Sequence, residues 1–222
     1  IRRQRQMCIR DRYHWDMPQA LEDQYHGWES RQIVDDFVRY ATILFEHFGD
    51  RVKHWIIMNE QNVFTGLGWM GGMHPPGKID EEKLFYQVNH HAFMAHAKSV
   101  LALKKLHPEA LVGSSFAYGP SYAIDCHPEN AMAKADYDDL KNYYWMDVYA
   151  YGRYPRAAMA YLESRDVAPQ MEAGDAEILK EYADKFDLTI DLWSIDDFGG
   201  WDNAYETYFD DGALFDQIYN HS

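Results

Sequence analysis

From residue 13 onward the apolar positions alternate between two periods. Ile33, Val34, Phe37, Val38, Ala41, Leu44, Phe45 and Phe48 recur at the spacing of one helical face, with Ser30 as a candidate cap and Gly49 as the stop. Val52 to Met58 is a short, nearly continuous apolar run, the pattern of a buried strand. The glycine- and proline-rich "GLGWMGGMHPPG" that follows predicts a broad flexible loop. A second helix is expected from about Glu81 to Leu106, capped by Asp80 and stopped at His107-Pro108. "ALVGSSFAY" (110–118) predicts another strand, and 128–163 a largely helical stretch broken at "YGRYP". One more helix is expected over 175–186 and one more strand over 188–195.

Short apolar strands alternating with helices indicate a parallel α/β fold with helices covering the sheet. A doubly wound open sheet and a (β/α)8 barrel both satisfy that pattern. A whole barrel needs about 250 residues. The connections here are too long and too aromatic for a minimal open sheet. The expectation is therefore a partial (β/α)8 TIM barrel.

Composition narrows the function classes. With 47% hydrophobic and 26% charged residues in 222, the chain has the composition of a globular domain able to bury a core. A formal net charge of −15 argues against nucleic acid and anionic membrane as partners, because both require a basic footprint. No apolar run reaches the length of a membrane span. The 16% aromatic content is in excess, and aromatic rings make platforms for sugars as well as cores. Cys8 and Cys126 lack metal or redox spacing, which predicts no disulfide framework and a reducing compartment. The opening "IRRQRQMCIRDR" carries Arg2, Arg3, Arg5, Arg10 and Arg12 and differs in texture from the "YHWDMP" after it. Residues 1–12 are expected to be a foreign or adapter-derived tail, and 13–222 the domain.

Three motifs fail on context. Gly66, Gly68 and Gly71 fit the G-x-G-x-x-G pattern of dinucleotide binding, but Gly72-Met73-His74-Pro75-Pro76 cannot open the helix that pattern needs. Gly113-Ser114-Ser115-Phe116-Ala117 ends in Ala where a nucleophile elbow ends in Gly, leaving Ser115 as ordinary strand. His90, His91 and His96 lack the i, i+4 pair of a helical zinc site and are expected to pack or cap. Neither metal nor cofactor is expected.

Asn59-Glu60 has better support. Both residues follow the strand-like run, and the carboxyl ends of strands face the active-site crevice of parallel α/β folds. His14-Trp15-Asp16 stands at an analogous position one helix earlier. A carboxyl at a partly dry aromatic rim has its charged form disfavoured, as a general acid requires. Spacing alone also fits a solvated loop carboxylate.

"YHWDMPQAL", "HGWESRQIVDDFVRYATILFEHFGDRVKHWIIMNEQN", "YQVNHHAFMAHAKSV" and "MDVYAYGRYP" occur in an order that resembles glycoside hydrolase family 1, over residues 13 to about 180. The resemblance implies a (β/α)8 barrel, of which this chain would hold about the third to sixth strand–helix units, and a retaining β-glycosidase mechanism. It also implies Glu60 as general acid/base, Asn59 as the contact to the sugar 2-hydroxyl, and His14 with Trp15 lining the sugar pocket. "NEQN", "CHPEN" and "DVYAYGRYP" look more like the 6-phospho-β-glucosidase branch, which implies a phosphorylated β-glucoside and a cytoplasmic location.

The departures matter as much. Gln61 replaces the family's proline after Asn-Glu, expected to alter the turn and not the carboxylate. Arg10, Asp11 and Arg12 occupy a strand that should be apolar. No "TENG"-like segment supplies the nucleophile, so the chain is expected to be a fragment inactive alone. An open part of a barrel leaves strand edges and an apolar face, predicting aggregation or oligomerisation. Two rivals stand beside this reading: a non-catalytic sugar-binding module using His14, Trp15 and Asn59, and a dinucleotide-binding domain on residues 66–71.

Overall fold

The structure, a computed structural model, describes residues 9–119 and 121–185; the strand expected at 188–195 lies outside them. Strands β1 (Ile9–Tyr13), β2 (His54–Met58) and β3 (Leu111–Gly113) form a parallel sheet in the order β1-β2-β3. Tyr13 stands opposite Met58, and Trp55 opposite Val112. Residues 9, 10 and 11 pair with β2 by their backbone, in register from Ile9 opposite His54.

Helices α1 (Gln19–Tyr25) and α2 (Gln32–Phe48) connect β1 to β2. Between β2 and β3 run α3 (Gln61–Thr65) and the long α4 (Glu82–Leu106). After β3 come α5 (Pro128–Asp138), α6 (Tyr144–Tyr151), α7 (Arg156–Ser164) and α8 (Asp175–Lys185). Parallel neighbours in chain order, each pair joined by helices, are what consecutive strand–helix units produce.

On α2 the predicted stripe packs inward at Ile33, Val34, Phe37, Ala41 and Phe45, while Phe48 at its end is exposed. Ser30 caps as expected, its Oγ accepting the Gln32 N–H at 3.2 Å. Gly49 is required by proximity and not by a left-handed backbone, since a Cβ there would collide with the His107 ring. Trp55, Ile57 and Met58 of β2 are fully buried, with Phe45 packed edge-on against Trp55 at 4.8 Å.

Three expectations are corrected. The glycine-rich segment is no flexible loop at its start: Gly66–Met70 continues α3 as a π-helical turn closed by Gly71 N–H on the Gly66 carbonyl at 2.8 Å. Burial of Trp69, whose indole N–H donates to Glu29 at 2.9 Å, outweighs the conformational freedom of its glycine neighbours. Asp80 does not cap α4; it adopts φ +55°, and the Glu81 carbonyl takes the Phe85 N–H. The strand predicted at 110–118 is only Leu111–Gly113, because the chain turns its hydrogen bonds toward the end of β2 from Ser114 on.

Helix α4 packs against α2 and α8 and is buried nearly all round, so its polar side chains need internal partners. Asp175 accepts Arg31 through both carboxylate oxygens, His90 Nε2–H at 2.8 Å and the Glu172 N–H at 2.9 Å. Burial alone would raise this carboxyl, but the bonds from Arg31 and His90 hold it down at about 2. With Asp175 ionised, His90 Nε2 donates, and Nδ1 accepts from the Tyr154 hydroxyl at 2.8 Å. His91 donates from Nδ1 to the Trp28 carbonyl at 2.8 Å, and His96 Nε2 meets the Tyr182 hydroxyl at 3.2 Å. Burial lowers all three imidazoles, His96 to about 3. These histidines therefore tie helices together as neutral side chains.

Candidate active site

Because the strands are parallel, their carboxyl ends lie on one side, and three successive ends converge there. Tyr13-His14-Trp15 leaves β1, Met58-Asn59-Glu60 leaves β2, and Ser114-Ser115 follows β3. The backbone binds the ends to one another. Asn59 N–H donates to the Tyr13 carbonyl at 3.1 Å, Glu60 N–H to the Ser115 carbonyl at 3.1 Å, and Ser115 N–H to the Met58 carbonyl at 3.3 Å.

Asn59 and Glu60 are both buried, at 4% and 5% exposure, which excludes the solvated loop carboxylate. Glu60 holds a left-handed backbone, φ 42° and ψ 61°, where the chain turns from β2 into α3. That conformation costs a non-glycine residue of order 1 kcal/mol or more and persists only where its surroundings impose it. The Ser115 hydroxyl and carbonyl both receive the Glu60 N–H. Asn59 Oδ1 accepts the Ser115 hydroxyl at 2.9 Å, while Asn59 Nδ2 is buried with no hydrogen-bond partner among the described residues.

Trp15 is half-buried at φ 72° and donates its indole N–H to the Asn59 carbonyl at 2.9 Å. Its nitrogen is thus spent on the backbone, and only its ring face remains for a ligand. His14 is exposed, its ring 5.2 Å from that of Trp15. Trp15 thus meets Asn59, the neighbour of Glu60, and His14 lies against Trp15. His14 lines a cleft of about 410 Å³ with Tyr13, Asp16 and Phe37. Trp15 lines a different pocket, about 170 Å³, with Phe64, Trp69 and His74. Neither lining includes Asn59 or Glu60. Within the rim Tyr13 is a neutral phenol, pushed up to about 12 chiefly by burial.

Beneath the site lies a polar lattice that sequence reasoning missed. Gln61, expected to change only a turn, is fully buried. Its Oε1 accepts the Tyr149 hydroxyl at 2.6 Å, and its Nε2 donates to Asn89 Oδ1 at 2.9 Å and to the Asn89 carbonyl at 3.1 Å. Asn89 Oδ1 also accepts Trp145 Nε1–H at 2.8 Å and the Thr65 hydroxyl at 3.2 Å. The residue after Glu60 thereby anchors α3 to α4 and α6. Ser115, expected to be ordinary strand, likewise joins the site. Polar residues inside otherwise apolar segments, at 61 and 89, were the available signal.

The glycines at 66, 68 and 71 lie within and after a helical turn, not at the start of a helix that could meet a pyrophosphate. Among the described residues no group of His, Cys, Asp and Glu is arranged to hold a metal ion, and no helix is long and apolar enough to cross a membrane.

A family model described as Glycosyl hydrolase family 1 matches residues 8–197. The chain is 45% identical over 167 residues to an aryl-phospho-β-D-glucosidase of Bacillus subtilis, an overlap of 75% of this chain and 35% of that protein. It is 32% identical over 172 residues to a 6-phospho-β-glucosidase of Escherichia coli, covering 77% of this chain and 36% of the relative. Among solved structures, a rice β-glucosidase superposes with a TM-score of 0.71 at 31% identity, covering 78% of this chain and 38% of that one. The family 1 β-glucosidase of Thermotoga maritima gives 0.69 at 30% identity, covering 81% and 39%. The chain thus spans little more than a third of the length of these proteins. These likenesses and the consecutive parallel strands make the described residues part of a (β/α)8 barrel.

Proposed function

The chain belongs to glycosyl hydrolase family 1, and on that premise we propose that it carries the acid/base half of a retaining β-glycosidase site. Glu60 protonates the glycosidic oxygen as the aglycone leaves and then activates the water that releases the sugar. Asn59 Nδ2 donates to the sugar 2-hydroxyl. The Trp15 ring face, held beside Asn59 by its indole bond, and His14 are assigned to sugar binding on the family resemblance, each from its own cleft. Retention also requires a nucleophilic carboxylate about 5 Å from the acid, and we assign it to a segment outside residues 9–185. In this reading the chain corresponds to about the third to sixth strand–helix units, of which three strands lie among the described residues. The observation that carries it is the pair Asn59-Glu60, buried at the end of β2 with an unspent amide donor beside the carboxyl.

The substrate class is a β-glucoside phosphorylated at the 6-position. The 45% identity to an aryl-phospho-β-D-glucosidase of Bacillus subtilis is the observation that supports this. A cytoplasmic location goes with that substrate. The test is hydrolysis of 4-nitrophenyl β-D-glucoside and its 6-phosphate by the full-length protein carrying these residues. Glu60→Gln should lower kcat/KM about 10²–10⁴-fold on poor leaving groups such as cellobiose and its phosphorylated form. The loss should be far less on the 4-nitrophenyl glycosides, whose kcat still falls because the same carboxylate activates the water of the second step. Unchanged hydrolysis of poor leaving groups refutes the assignment of Glu60.

A further inference from the structure

We infer that Ser115 is a positioning residue of this site: its hydroxyl fixes the Asn59 amide so that Nδ2, not Oδ1, faces the sugar. The inference rests on the reading of Asn59 as the contact to the 2-hydroxyl. The two ends of a carboxamide are nearly isosteric, so packing cannot choose which one faces a ligand; hydrogen-bond partners do.

Ser115 makes that choice through its own bonding. Its Oγ accepts the Glu60 N–H at 3.1 Å, and its carbonyl accepts the same N–H at 3.1 Å. The Ser115 N–H is bound to the Met58 carbonyl, which fixes the residue against the end of β2. The hydroxyl has one proton to give, and Asn59 Oδ1 takes it at 2.9 Å. With the amide reversed, Nδ2 would face the hydroxyl, the serine proton would lose this acceptor, and a carbonyl oxygen would face the sugar. In the observed arrangement Oδ1 is satisfied, and Nδ2, buried and unpartnered among the described residues, is left to donate. A buried donor without a partner is costly unless a ligand supplies the acceptor. The side chain that spends its proton on Asn59 also receives the amide of Glu60, so one serine sets the sugar contact and touches the backbone of the acid.

The test compares 4-nitrophenyl β-D-glucoside 6-phosphate with its 2-deoxy analogue, and the unphosphorylated pair in parallel, on the full-length protein carrying these residues. Ser115→Ala should lower kcat/KM about three- to tenfold on the 2-hydroxy substrates and change the 2-deoxy substrates by less than about twofold, the scale of one hydrogen bond. Ser115→Thr, which keeps the hydroxyl, should restore the discrimination. Equal losses on both members of a pair mean that Ser115 acts only through packing, and they overturn the inference, as does a Ser115→Thr variant no better than Ser115→Ala. A wild-type protein that hydrolyses both members equally overturns the role of Asn59. One that hydrolyses none of them overturns the glycosidase reading and this inference with it.

Discussion

Replacing Gln61 with Leu is the sharpest probe of how the site is held. The side chain is fully buried and makes three hydrogen bonds: to the Tyr149 hydroxyl, Asn89 Oδ1 and the Asn89 carbonyl. Leu is similar in volume, so cavity formation contributes little and the cost is that of the polar groups left behind. Asn89 Oδ1 keeps the Trp145 indole at 2.8 Å and the Thr65 hydroxyl at 3.2 Å, so it remains satisfied. The Tyr149 hydroxyl loses its acceptor in a buried setting, at about 1–3 kcal/mol. The expected destabilisation of Gln61→Leu is therefore about 2 kcal/mol. Tyr149→Phe alone should cost a similar amount, because it leaves Gln61 Oε1 as a buried acceptor. In the double variant both partners are apolar and the penalties do not add; the coupling should be about 1–2 kcal/mol. Urea denaturation followed by tryptophan fluorescence on the wild type, both single variants and the double variant measures this directly. Additive costs, with coupling inside about 0.3 kcal/mol, would refute the view that this bond anchors α3. The same variant should lower turnover, because Glu60 sits at the strained junction that Gln61 anchors.

Other outcomes follow from the same geometry. His96, lowered by burial from 6.5 to about 3, stays neutral in the folded protein while the unfolded chain takes up a proton below about 6.5. Its contribution to stability is complete above pH 6.5 and is lost as pH falls toward 3, at about 1.4 kcal/mol per pH unit, or about 2 kcal/mol at pH 5. Urea midpoints at pH 7 and pH 5 read this, and His96→Gln should flatten the slope by about one proton. Gly152 ends α6 at φ +62°, and a Cβ there would collide with the Leu179 carbonyl of α8. Gly152→Ala should therefore destabilise the fold by about 2 kcal/mol or more, seen as a lower thermal midpoint; an unchanged midpoint would show that α8 can move aside.

The sequence by itself determined what local periodicity and local order can encode. The helical stripe from Ile33, the strand ending at Met58, the long helix to Leu106 and the strand–helix alternation were all legible, because each depends on residues a few positions apart. Asn59-Glu60 at a strand end and His14-Trp15 one helix earlier were legible as well, since order along the chain fixes which strand ends are neighbours. Only the tertiary structure decided how those residues are bonded. Ser115 lies 56 positions from Asn59 and Tyr149 lies 88 from Gln61, separations at which no periodicity carries a signal. Trp69 made a helical turn of a glycine-rich segment for the same reason: its burial is settled by Glu29 and the core, not by its neighbours in sequence. A hydrogen bond needs two groups to arrive within about 3 Å, and that arrival is a property of the folded chain.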